Sequence, residues 1–509
     1  MNSGNMRRVS PLPGVSSACF GGIVTVATLV LLAAGLQACS GSRELRQYMN
    51  VRGTDTYTRD PSLAESLDKF LPDTLFPPAN IGLVIGTLDD GRIVYQRNAD
   101  MLFTPASNQK LVTSAAALST LGPLHEFRTD VAIDSEGGTI YLRGGGDPIL
   151  TTADLETLAD STIVHLPYRP TWTVVADPTR FDTIYWGRGW MWDDAGDPSG
   201  MSVAGLSVNA NTIDLLVQAG DSLGKPPAIA VSPPDPLVTI INNAVVADSV
   251  TEPLEAVRSL QHPSNTVTVT GTILRQSRRT LSVAVWEPER YAATLFAAAL
   301  RRFGVHVAEI SVGTTPGGAW SAATVTHRLD SIVTYMNKVS DNLSAECLVK
   351  TMGARSSSGA GTWREGTHAV RQFLDSLHID TLNVVVADGS GLSRYNLTTA
   401  GTLFRLLEAM YRTPTLWPVY AASLPIAGQD GTLEYRMRGT NGEGMVHAKT
   451  GSISGVSSLT GFIETVGGRP LGFSMIMENV PGSVRPLRAV QDSIAAYLVT
   501  YRPPSPSLP

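Results

Sequence analysis

Ser107 stands three residues ahead of Lys110 in the stretch TPASNQKLVTSAAALSTLG, residues 104–122. A serine hydroxyl is a weak nucleophile until a neighbouring base takes its proton, and residues three apart on a helix share one face. The pair is suited to acyl transfer, with Ser107 attacking and Lys110 accepting the proton. The spacing alone decides little, because Ser66 with Lys69 and Ser222 with Lys225 match the same pattern. Two further groups follow along the chain: Ser340-Asp341-Asn342 within KVSDNLSAECLVK, and Lys449-Thr450-Gly451 within VHAKTGSISG, the only K-[ST]-G of the sequence.

Each group has its own chemical use. The hydroxyl of Ser340 and the amide of Asn342 can relay a proton and hydrogen-bond both Lys110 and a substrate backbone, while a cationic Lys449 on a strand edge can hold a substrate carboxylate. Thr450 and Gly451 beside it are expected to contact substrate. A lysine acts as a base near neutral pH only if burial or a nearby cation weakens its hold on the proton, and Lys449 facing Lys110 across a cleft is expected to supply that cation. The oxyanion formed on acylation needs two aimed donors, for which the backbone amides of Ser107 and Ser452 are the candidates.

Other chemistries find less support. The eight histidines are scattered without H-E-x-x-H or Cys/His spacing, so neither a metal nor a cofactor is expected. The stretch GMSVA at Gly200 lacks the second glycine of a G-x-S-x-G elbow. Cys347 reads as a small buried hydrophobe. A net charge of −6 without basic runs excludes nucleic acid as a partner.

The elements that must position these residues belong to a chain of 509 residues, 43% apolar and 17% charged, long enough for two or three domains. Arg7 and Arg8 precede the apolar run CFGGIVTVATLVLLAAGLQAC, an export signal ending in a lipobox-like Leu36-Gln37-Ala38-Cys39. Residues 1–38 are expected to be removed and Cys39 lipidated; an uncleaved anchor or a plain signal peptide are the alternatives. Ser40, not Asp, follows the cysteine, which favours the outer membrane. A flexible tether spans 39–59.

IGLVIGTLDDGRIVYQRN predicts a hairpin around Asp90-Gly91, and Leu111, Ala115, Ala116 and Leu118 predict the buried face of the helix that follows Ser107. Short strands punctuated by Gly and Pro mark an inserted β-rich unit over 131–285, between catalytic segments 60–130 and 286–502, with a tail at 503–509. Strand pairs near both ends predict one antiparallel sheet covered by helices, an α+β fold.

S-x-x-K, S-D-N and K-T-G occur together in penicillin-binding proteins and class A β-lactamases. With LRGGGDPIL, GRGWMWDD, SVNANTIDLLV, VADGSGLSRYNLTTA and LPIAGQDGTLEYRMRGT, the sequence resembles the D-alanyl-D-alanine carboxypeptidase and endopeptidase family, the low-molecular-mass class C penicillin-binding proteins, over about residues 60–500. The resemblance implies a transpeptidase-like domain interrupted by inserted small domains. It also implies hydrolysis of D-Ala-D-Ala ends and D-Ala to diaminopimelate cross-links in peptidoglycan, with β-lactams as covalent inhibitors. By the same resemblance Arg394 contacts a diaminopimelate carboxylate and Asp194 the amine of that side chain. A serine β-lactamase and a catalytically idle wall-binding lipoprotein are the alternatives.

Overall fold

The computed structural model describes residues 57, 59–71, 79–259, 264–356 and 359–503. The export segment, Cys39, most of the tether and the tail beyond 503 lie outside the described residues. Among the described residues no helix is long and apolar enough to cross a membrane.

Strands from the two ends of the chain meet in one antiparallel sheet. They are β1 (Asn80–Thr87), β2 (Ile93–Arg97), β3 (Val446–Ile453), β4 (Val456–Glu464) and β5 (Pro470–Glu478), in spatial order β3-β4-β5-β1-β2. The β1–β2 turn needs a left-handed residue, supplied by Gly91 at φ 68°, and Arg469 pairs with both Asp89 and Asp90 beside it. Alternation along β5 separates two cores: Phe473, Met475 and Met477 face the helices Pro61–Phe70 and Arg485–Thr500, while Ile476 faces a larger helical layer.

That layer holds α1 (Gln109–Leu121), α2 (Leu329–Val339), α3 (Asn342–Ser356) and α4 (Trp363–Ser376). All residues from Gln109 to Leu118 are buried, so α1 has no solvent face until its last turn, where Ser119 is exposed. The predicted apolar stripe of Leu111, Ala115, Ala116 and Leu118 is part of that burial.

The inserted unit has its own five-stranded sheet, ordered Val307–Val312, Trp172–Asp177, Thr139–Gly144, Glu126–Asp134, Trp320–Arg328. Its outer pair runs from Glu126 opposite Arg328 to Ile133 opposite Trp320, so this sheet reaches beyond 131–285 at both ends. The helix Pro288–Arg302, expected in the catalytic part, buries Tyr291, Leu295, Phe296 and Leu300 in the insertion's core. Helical periodicity shows that a helix has a buried face but not which sheet it covers. Three smaller sheets, built from strands between Thr212 and Ala284, complete the unit.

Gly461 on β4 lets β3 approach closely, since a Cβ there would lie 2.0 Å from His447 O and 2.5 Å from Ala448 Cα. Gly461→Ala is expected to push these strands apart and destabilise the protein by about 1–3 kcal/mol, read as a lower urea midpoint with an unchanged slope.

Candidate active site

Ser107 lies in a single 3-10 turn, Ala106–Asn108, leading into α1. Ala106 adopts φ 48°, a left-handed conformation costly for a residue with a Cβ, and such strain collects where a side chain must be aimed. The turn is bolted to the sheet: Ser458 Oγ donates to Pro105 O at 2.8 Å, and Asn108 Nδ2 donates to Thr460 Oγ1 at 2.8 Å.

One helical turn on, the fully buried Lys110 donates to Ser107 Oγ at 3.0 Å, Asn342 Oδ1 at 2.6 Å and Ser390 O at 2.9 Å. Three acceptors satisfy all three ammonium hydrogens. Asn342 opens α3, whose first turn is capped by the Asp341 side chain accepting from Ser344 N at 2.6 Å. The Asn342 amide is oriented from both ends, because its Nδ2 donates to Ser199 O at 2.7 Å on a loop of the insertion. Ser340 occupies the left-handed C-cap of α2 at φ 64°, which turns its hydroxyl toward β3. There Lys449 Nζ donates to Ser340 Oγ at 2.9 Å and to Thr450 O at 3.0 Å.

Gly451 has a steric reason to be glycine. A Cβ there would lie 2.1 Å from Ser458 Oγ and 3.0 Å from Ser107 N, so β3 passes directly beside the Ser107 backbone amide. Ser452, the other candidate oxyanion donor, follows on the same strand, its hydroxyl accepting from Arg488 at 3.0 Å. Thr450 Oγ1 donates to Thr432 Oγ1 at 2.8 Å. Arg394 donates to Ser454 O at 3.0 Å just past the strand's end. Asp194 accepts from Met191 N at 2.8 Å; burial pushes its carboxyl up, and Arg394 is close enough to oppose that shift. The sequence-derived residues thus lie close together between α1, the α2–α3 corner and β3, with Arg394 near the end of β3 and Asp194 near Arg394.

Burial lowers Lys110 from 10.5 to about 8, with Glu346, Asp341 and Asp388 opposing. Burial and then Lys110 hold Lys449 well below the ordinary lysine value, and the repulsion between the two ammonium groups acts on both. Lys449 is the ammonium with fewer compensating acceptors, and no carboxylate adds to its stabilisation.

The family model described as D-Ala-D-Ala carboxypeptidase 3 (S13) matches residues 63–500. The chain belongs to that family. It is 35% identical over 465 residues to a D-alanyl-D-alanine carboxypeptidase of an Actinomadura species, covering 86% of this chain and 85% of that protein. Over 409 residues it is 28% identical to the D-alanyl-D-alanine carboxypeptidase DacB of Haemophilus influenzae, covering 78% and 84% of the two chains. The crystal structure of penicillin binding protein 4 from Haemophilus influenzae superposes with a TM-score of 0.74 at 26% identity, over 86% of this chain and 99% of that one.

In this S13 carboxypeptidase family member, sequence reasoning missed the groups behind the lysine. Ser390 O and Ser199 O act through the backbone and leave no signal in residue type. Glu346 sits four residues beyond Asn342, a spacing that helical geometry could have flagged. Asp388, within the resemblance segment VADGSGLS, accepts from Gly391 N, Ser393 N, Trp190 Nε1 and Asn396 Nδ2.

With Lys110 at about 8, about one molecule in ten carries the free base at pH 7, against about three in ten thousand at the ordinary value of 10.5. Free base grows as pH rises, so the acylation rate constant is expected to climb through an acid limb near pH 8 and then level. Stopped-time acylation assays across pH read the limb directly, and one displaced above pH 10 contradicts the assignment.

Proposed function

We propose that the protein is a serine D-Ala-D-Ala carboxypeptidase and DD-endopeptidase of peptidoglycan, working through an acyl-enzyme on Ser107. The observation that carries this reading is the buried Lys110 Nζ 3.0 Å from Ser107 Oγ, with Asn342 and Ser390 O holding it there.

Lys110 as free amine takes the Ser107 proton while Oγ bonds to the carbonyl carbon of the penultimate D-alanine. The amides of Ser107 and Ser452 receive the oxyanion. Collapse breaks the C–N bond as Lys110 passes the proton it took from Ser107 to the departing amine by way of the Ser340 hydroxyl, which returns Lys110 to the free amine. Water then attacks the ester, Lys110 taking its proton and returning it to Ser107 Oγ as the bond from that oxygen to the acyl carbon breaks.

The Lys449 ammonium binds the terminal carboxylate. An arriving anion favours the charged form that burial disfavours in the empty cleft, so substrate binding and protonation of Lys449 support each other. Thr450 and Gly451 line the backbone, while Arg394 and Asp194 meet the carboxylate and amine of a diaminopimelate side chain, one opposite charge for each. β-Lactams acylate the same serine and leave slowly. Export to the periplasm, with a lipid on Cys39 anchoring the enzyme to the outer membrane, completes the reading.

Intact-protein mass spectrometry after exposure to a penicillin is expected to show one stable adduct that maps to Ser107 and is absent in Ser107→Ala. No adduct with rapid loss of free penicillin would identify a β-lactamase, and no adduct with intact penicillin an idle fold. For stem peptides bearing diaminopimelate, Arg394→Ala and Asp194→Asn are each expected to raise KM roughly tenfold with kcat little changed. A peptide lacking that side-chain zwitterion should respond to neither substitution.

A further inference from the structure

Glu346 follows Asn342 by one helical turn on α3, and its carboxylate is fully buried. It accepts three N–H donors: Trp363 Nε1 at 2.7 Å, Gly389 N at 2.9 Å and Ser390 N at 2.8 Å. A buried carboxylate is expensive unless such bonds compensate it, and an apolar side chain would fill the space at less cost.

What the bonds hold is the backbone that meets Lys110. Glu346 fixes the N–H side of the Gly389–Ser390 peptide, and Thr113 Oγ1 fixes its carbonyl side by donating to Gly389 O at 2.7 Å. In the next peptide Gly391 N donates to Asp388 Oδ1 at 2.8 Å, leaving Ser390 O aimed at Lys110 Nζ, 2.9 Å away.

We propose that Glu346 is a positioning residue for acylation: its carboxylate holds the Gly389–Ser390 backbone so that the Ser390 carbonyl fixes Lys110, and its negative charge faces the Lys110 ammonium. This rests on the reading of Ser107 and Lys110 as nucleophile and base.

The charges facing Lys110 are Glu346, Asp341, Asp388 and, across the cleft, Lys449; those facing Glu346 include Asp388 and Lys350. Among the carboxylates Glu346 favours the Lys110 ammonium most strongly. Burial and then Asp388 push Glu346 up to about 7, so it is charged over much of the range in which Lys110 titrates. Glu346→Gln removes that charge, which lets Lys110 shed its proton at lower pH. It also sets an amide NH2 against N–H donors that need an acceptor, which loosens Ser390.

The test follows acylation of the full chain by benzylpenicillin, as intact mass against time, across the acid limb. Glu346→Gln is expected to lower the plateau rate roughly tenfold and move the limb down by about one pH unit. Glu346→Asp keeps the charge but shortens the reach, so its plateau falls with the limb in place. Thr113→Val removes the second hydrogen bond without touching a charge and is expected to behave like Glu346→Asp. A Glu346→Gln limb at the wild-type pH overturns the proposal whatever its rate, since a merely structural carboxylate would lower activity without moving the limb. If neither Glu346 variant folds, Thr113→Val decides: a slower plateau with an unmoved limb sustains the proposal, and a wild-type rate overturns it. A wild type that never acylates at Ser107 refutes the underlying catalytic reading instead.

Discussion

Two lysines share one buried cleft, and the rest of the site is arranged around the cost of placing them there. Taking an ammonium out of water costs several kcal/mol even after relaxation, and a second one nearby adds repulsion. Lys110 meets that cost with three acceptors from three elements and three surrounding carboxylates, yet still falls from 10.5 to about 8. That fall corresponds to about 3 kcal/mol in favour of the free amine, which is the form a serine nucleophile requires. Burial thus shifts a side chain that is ordinarily charged at neutral pH toward its free amine.

The scaffold follows from that requirement. A helix buried on all sides up to its last turn excludes water from Lys110, while the strained turn before it brings Ser107 against β3 at a position where only glycine fits. The α2–α3 corner delivers Ser340 to one lysine and Asn342 to the other. The insertion does more than decorate the fold, because its loop supplies Ser199 O to Asn342 and carries Asp194. One short segment thus carries both the carbonyl that orients Asn342 and the Asp194 carboxylate.

Much of this was legible in the sequence because the chemistry depends on side-chain type. Ser107, Lys110, Ser340, Asn342 and Lys449 could be named from three short motifs, and the sheet joining the chain's ends from alternating runs with an Asp-Gly turn between them. Groups acting through backbone carbonyls, Ser390 and Ser199, carry no such mark. Glu346 looks like any helix-forming residue until its burial is known. The reach of the second sheet and its core was not legible from local pattern, because the strand beginning at Glu126 and the helix from Pro288 pair and pack with partners far away in the chain. That burial leads the Lys110 shift was not legible either, since burial is a property of the whole fold and not of motif spacing.

The central claim is that Lys110 is a base in the resting enzyme. A side-chain NMR titration of isotope-labelled lysine, with the resonance assigned by its loss in Lys110→Arg, measures this without any substrate. The account predicts a midpoint near 8, while a midpoint at the ordinary 10.5 would mean that Lys110 stays charged and that some other group must activate Ser107.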